Sequence, residues 1–265
     1  GQPSGQPSGQ PSSSPTSAPL TFSSHSVDSS ATGAYSVYAI DVDCDGDIDI
    51  LAALRASNTV AWYENDGSQS FTAHVIDSSA IGVYTVYAID VDGDGDIDVL
   101  AAQFDNNRVA WYENDGSQGF TAHIVDGSAN QPYGIYALDV DLDGDIDILA
   151  ALWGSNTVAW YENDGSQGFT THVISNTASS AVSVYASDLD LDGDIDVLAV
   201  VWTGAVYWYE NDGSQGFTKI AIDTSVSGPQ SVVTIDLDLD GDIDVLVSLH
   251  TADSVIWYEN DGSQG

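Results

Sequence analysis

The chain has 265 residues, 43% of them hydrophobic, enough for one large all-β domain or two small ones. Three basic residues, Arg55, Arg108 and Lys219, face 41 acidic ones, for a formal net charge of −38. That balance excludes nucleic acid and anionic membrane surfaces as partners and favours cations. The single cysteine, Cys44, allows no intrachain disulfide, and no stretch is apolar enough for membrane insertion.

Residues 1–20 are rich in Gly, Pro, Ser and Gln without hydrophobic periodicity, and read as a flexible linker. From residue 21 to 265 the chain repeats. Asp-rich loops occupy 41–49, 90–98, 139–147, 188–196 and 236–244, starting 49, 49, 49 and 48 residues apart. The tryptophans Trp62, Trp111, Trp160, Trp208 and Trp257 follow at intervals of 49, 49, 48 and 49. No 3.6-residue period runs inside a unit, so a helical solenoid is excluded. Each unit reads as four short strands. In the second these are 84–90, 98–102, 109–114 and 120–125, with Asp-Gly turn chemistry at 115–119. Four strands per repeat of about 49 residues is the spacing of an all-β propeller of four-stranded blades. The segment 22–27 (FSSHSV) resembles the fourth strand of other units, such as 71–76 (FTAHVI). It is expected to complete the last blade and close a five-bladed ring; otherwise the five repeats are part of a larger, for example seven-bladed, propeller.

The acidic residues are concentrated in the loops. Each loop carries Asp at positions one, three, five, seven and nine and Gly at six. The sets are Asp41, Asp43, Asp45, Asp47, Asp49; Asp90, Asp92, Asp94, Asp96, Asp98; and Asp139, Asp141, Asp143, Asp145, Asp147. The remaining two are Asp188, Asp190, Asp192, Asp194, Asp196; and Asp236, Asp238, Asp240, Asp242, Asp244. Carboxylates at alternate positions of a tight turn converge, and a hard cation taking six to eight oxygens suits them, so about five Ca²⁺ are expected. Mg²⁺ prefers fewer protein ligands, and zinc or iron would ask for His or Cys. An EF-hand is excluded, because position twelve is Ala52, Ala101, Ala150, Ala199 or Val247 where that motif needs Glu, and the flanks are β-rich.

The DxDxDGDxDxL loops joined to WYENDGSQGF resemble the FG-GAP/VCBS repeats, which include the propellers of integrin α subunits and some fungal lectins. The resemblance covers residues 21–265. It implies a calcium-bearing propeller, usually seven-bladed and extracellular or on the cell surface. Carried over by position, the ligands of the first loop are Asp41, Asp43, Asp45, the Asp47 carbonyl and Asp49. The Phe-Gly and Gly-Ala-Pro strings that name the family are absent.

The repeated tryptophans read as packing between blades, and His25, His74, His123 and His172 as structural polar contacts. Glu64 and Asp66 recur in every unit and are expected to shape the turn between the third and fourth strands. Variation between units falls elsewhere: in the connection leading into each unit, and in the turn at Arg55, Phe104, Trp153, Trp202 and His250. In an up-and-down sheet both project from the end opposite the metal loops, so one end is uniform and the other diversified. Loops on a rigid scaffold commonly carry binding. The sequence therefore points to an extracellular Ca²⁺-dependent binding or adhesion module for a protein or glycan. A lectin-like carbohydrate-binding role is the alternative. A polysaccharide-active enzyme has less support, since no nucleophile elbow, phosphate loop or lone acid–base pair is visible.

Overall fold

β-Branched and aromatic runs bounded by Gly- and Asp-rich turns build nineteen strands in the computed structural model, which describes residues 23–262. The first blade is β1 (Ala34–Ile40), β2 (Asp49–Leu54), β3 (Thr59–Asn65) and β4 (Phe71–Asp77). The second is β5 (Val83–Ile89), β6 (Asp98–Gln103), β7 (Arg108–Asn114) and β8 (Phe120–Asp126). The third is β9 (Pro132–Leu138), β10 (Asp147–Leu152), β11 (Thr157–Asn163) and β12 (Phe169–Ser175). The fourth is β13 (Ala181–Ser187), β14 (Asp196–Val201), β15 (Ala205–Asn211) and β16 (Phe217–Asp223), and the fifth is β17 (Pro229–Ile235), β18 (Asp244–Leu249) and β19 (Ser254–Tyr258). All sheets are antiparallel and pair in chain order, four of them four-stranded and the last three-stranded. The fold is an all-β propeller of five successive blades. The linker assigned to 1–20 lies outside the described residues.

The core is a stack of blade-to-blade interfaces. Between the second and third blades, Leu100, Val109 and Trp111 pack against Ile135, Ile148 and Tyr161, and Ala102, Ala137, Ala150 and Ala159 fill the space between them. Alanines on the central strands let the sheets approach closely, and in each of the first three blades a Trp fills the seam. Trp62, Trp111 and Trp160 are each 1% exposed. Each stacks on the His of its own fourth strand at 4.6 Å and meets the Phe of the next blade edge-on, at 6.3, 6.2 and 6.3 Å. The His in turn bonds the neighbouring Glu, as in His123 Nε2 to Glu113 Oε2 at 2.6 Å. The repeated Glu is therefore a cross-strand partner of His. The turn is shaped instead by the following Asp, whose carboxylate accepts the N–H groups of Ser68 and Ser70 in the first blade.

Polar bonds also cross the seams. Tyr63, Tyr112, Tyr161 and Tyr258 donate to Asp28, Asp77, Asp126 and Asp223 at 2.6–3.1 Å, so each acid closing one unit is held by the third strand of the next. Asn114 and Asn163 Nδ2 reach back 3.2 Å to the carbonyls of Val42 and Val91 in the preceding metal loop.

Among the described residues the expected closure through the N-terminal strand is not formed. Ser23–Val27 is outside any strand, and β19 has no outer partner among the described residues. Asp28 holds the end of this segment on the first blade through Tyr63, in the place a preceding blade's last strand would take. Inner strands β1, β5, β9, β13 and β17 pack in succession, and no comparable packing joins β17 to β1. The faces on either side of that gap stay open: Val37 is 68% and Val255 74% exposed, whereas their equivalents Ile135 and Val109 are buried.

Candidate metal centres and the opposite face

Each metal loop connects the first strand of a blade to the second and is folded by its own carboxylates. Asp41 Oδ1 and Oδ2 accept the N–H groups of Asp45 and Gly46, and Asp45 Oδ1 accepts that of Asp47. Gly46, Gly95, Gly144, Gly193 and Gly241 hold φ between 98° and 107°, which explains glycine at position six. Position four is also left-handed, with φ of 59–73° at Cys44, Gly93, Leu142, Leu191 and Leu239. Only Gly93 suits it, and a side chain there costs about 1–2 kcal/mol.

Three carboxylate oxygens in every loop lie within 4.8 Å of one another. The first, second and fourth loops use positions one, three and five (Asp41, Asp43, Asp45; Asp90, Asp92, Asp94; Asp188, Asp190, Asp192). The other two use positions one, three and nine (Asp139, Asp141, Asp147; Asp236, Asp238, Asp244). Asp43, Asp141, Asp188 and Asp236 each have a buried Oδ1 without a hydrogen-bond partner. Buried carboxylate oxygens facing other carboxylates are what a hard cation would satisfy, so the donor set fits Ca²⁺.

Position nine anchors the hairpin. Asp49, Asp98, Asp147, Asp196 and Asp244 are 0–1% exposed. One oxygen accepts the N–H of loop position two at 2.9–3.2 Å, and the other accepts, at 2.8 Å, the N–H of the Asn that ends the third strand or, in the fifth blade, of Asn260 just past it. Position seven lies outside the three-oxygen clusters: Asp47, Asp96, Asp145, Asp194 and Asp242 pack on Gly67, Gly116, Gly165, Gly213 and Gly262, where a Cβ would come within 2.4–2.5 Å of a carboxylate oxygen. This contact is the physical link between the Asp loop and the Asn-Asp-Gly turn. Sequence reasoning missed Gln167 and Gln215, whose amides reach Asp92 and Asp141 of the preceding blade at 3.4 Å.

Burial, followed by the adjacent carboxylate, raises Asp43, Asp92, Asp141 and Asp190 above the ordinary range. Burial pushes Asp98, Asp147 and Asp196 up to about 6, against the backbone bonds they accept. Between about pH 4 and 6 the metal-free folded chain thus binds more protons than the unfolded one. The stability these groups confer is complete below the unfolded value and is lost as pH rises through about 6. Metal-free protein should therefore melt several degrees higher at pH 5 than at pH 7.5. Saturating calcium should reverse that order, because only ionised carboxylates bind it. Scanning calorimetry at the two pH values checks both signs.

At the opposite end, each variable turn is tied to the connection entering its blade. The N–H groups of Arg55, Phe104, Trp153, Trp202 and His250 donate to the carbonyls of Gly33, Gly82, Gln131, Ser180 and Gly228 at 2.8–3.1 Å. The structure thus brings all five residues to one face. Trp153 lies 6.3 Å from Trp202, which lies 5.7 Å from His250; Phe104 lies 4.9 Å from Tyr84, whose ring also carries Arg55 at 4.6 Å. Arg55 pairs with Asp105 at 3.6 Å. Tyr35, Tyr84, Tyr133 and Gln230 join them from the inner strands, a contribution that sequence reasoning missed. Their signal is present in the sequence, since the equivalent position reads Tyr, Tyr, Tyr, Val182 and Gln, varying as the turns do. A cleft of about 440 Å³ opens between Tyr35, Tyr133, Trp153, Trp202, Gln230 and His250.

Among solved structures, the chain is similar to virginiamycin B lyase from Staphylococcus aureus (TM-score 0.56, 15% identity, 88% of this chain and 72% of that one). A streptogramin B lyase gives a TM-score of 0.54 at 15% identity, covering 87% and 70%. The V. cholerae biofilm matrix protein Bap1 gives 0.53 at 21%, covering 88% of this chain and 38% of that one. At these identities the likeness is one of fold. No curated protein matches the sequence. The FG-GAP-like repeat profile matches four times, over 41–101, 90–150, 139–199 and 188–247, each match running from one Asp loop past the next. With that profile spanning most of the chain and both of its motifs explained by contacts in every blade, the chain belongs to the FG-GAP-like repeat family.

Proposed function

We propose that this chain is an extracellular, calcium-dependent binding or adhesion module whose ligand, a protein or a glycan, docks on the face opposite the metal loops. One observation carries the reading: three of the five variable turns, at Trp153, Trp202 and His250, meet the inner-strand residues Tyr35, Tyr133 and Gln230 around a single cleft. The Asp loops would hold Ca²⁺ through positions one, three, five and nine, with the position-seven carbonyl. The ions neutralise loop charge and stiffen one end of every blade, and that rigid base positions the opposite face. Five divalent ions, ten positive charges, would bring the formal charge from −38 to −28. A propeller in a biofilm matrix protein and others in lyases are examples of what this fold can carry. The cleft here is lined by aromatic rings, an amide and an imidazole, without a carboxylate, which favours binding over acid–base chemistry.

The test is an array of matrix proteins and glycans, probed in millimolar calcium and in EDTA, with bound metal counted by native mass spectrometry. The expected result is five ions and a ligand captured only with calcium. Calcium-independent capture, or no calcium bound, would refute the reading.

A further inference from the structure

The cleft has two chemically distinct walls. Trp153, Trp202 and His250 form one, a row of rings tilted 46° and 44° to one another. The other is polar. The hydroxyls of Tyr35 and Tyr133 are hydrogen-bonded to each other, and Gln230 Nε2 donates to the Tyr133 hydroxyl at 2.9 Å. Tyr133 joins the walls, stacking on Trp153 at 5.9 Å and 27°. Its position is set from behind by Thr85, whose hydroxyl donates to the Tyr133 carbonyl at 2.6 Å. The lining holds no carboxylate, lysine or arginine, and on this face Arg55 pairs with Asp105.

We propose that this cleft is a subsite for a neutral saccharide, an inference that rests on the reading above that this is the binding face. A pyranose ring is amphipathic: its axial C–H groups make an apolar face, and its hydroxyls radiate around the rim. The indole platform takes the first and the wall of phenols and amide takes the second, each group able to donate and to accept. The volume lies within the range of small-molecule sites. Charge decides between sugar classes. With a formal net charge of −38 the chain repels uronates and sulfated sugars, and the metal loops stand at the far ends of the blades, where their ions cannot bridge an anion to this cleft. A quaternary ammonium would be drawn by the same field. Its aromatic cage, however, needs rings turned toward one centre, whereas these follow one another as a row.

The experiment uses the full chain in calcium on an array of neutral and acidic oligosaccharides. The strongest binders are then titrated by calorimetry and tryptophan fluorescence, beside galacturonate oligomers and choline. Expected are saturable binding of neutral oligosaccharides that is insensitive to salt, and at least tenfold weaker binding by the Trp153→Ala/Trp202→Ala variant. Gln230→Ala removes one polar group without opening a cavity; it should also weaken binding severalfold and serves if the double variant fails to fold. Calcium content and melting temperature should stay near wild type. The proposal is overturned if no neutral saccharide binds at millimolar concentration, if only galacturonate or choline binds, or if neutral sugars bind these variants as well as wild type. A protein ligand lost in the double variant would keep this face as the binding face and remove the saccharide. If a ligand is found whose affinity is indifferent to Trp153, Trp202 and Gln230, both readings fall.

Discussion

Removing calcium should lower the melting temperature by about 10 °C or more, the largest effect expected of this protein if the proposed sites are filled. A ligand that binds only the folded state stabilises it by roughly 2.7 kcal/mol per site at a hundredfold excess over Kd. For a chain of this size about 1 kcal/mol moves the midpoint by roughly 2–4 °C, so two occupied sites already reach that shift. The structure adds a reason beyond mass action. Without a cation, each loop holds three carboxylate oxygens within 4.8 Å, and four of the five leave a buried Oδ1 without a hydrogen-bond partner. Calorimetry in millimolar calcium and in excess EDTA at pH 7.5 decides the matter, and coincident transitions would remove calcium from the account of stability.

Trp111→Ala should be the most damaging single substitution away from the loops, at about 3–5 kcal/mol. The ring is 1% exposed, stacks on His123 and meets Phe169 of the next blade, so truncation opens a cavity in a seam rather than at a surface. The matched control is Trp153→Ala, a half-buried ring at the rim, where a loss below about 1 kcal/mol is expected. Urea unfolding of the two variants in saturating calcium separates them. Equal midpoints would mean that the repeated and the variable tryptophans do not divide into scaffold and ligand surface.

The contrast between repeated and variable positions is legible in the amino-acid sequence, because a chain of near-identical units is its own internal comparison. Strand order, the propeller class, the clustered Asp loops and the diversified end all follow from short-range chemistry: alternate carboxylates around Gly46 and its equivalents, β-branched runs and Asp-Gly turns. So does the packing role of Trp62, Trp111 and Trp160, whereas Trp257, on the last blade's open face, is 41% exposed. Tertiary structure alone decided what depends on distances between units. Asp28, Asp77, Asp126 and Asp223 gave no sign in sequence of bonding a tyrosine 35 residues later in the chain. Asp47 and Gly67 looked like two motifs and are one contact. Tyr35, Tyr84, Tyr133 and Gln230 joined the variable turns because inner strands converge where those turns fold over. FSSHSV shows the limit most clearly. Its composition matches a fourth strand, but strand pairing needs an edge within reach, and Asp28 ties this segment to the first blade across the open side of the propeller from β19. A local pattern selects the kind of element; its partner is selected by the curvature that all the seams together impose.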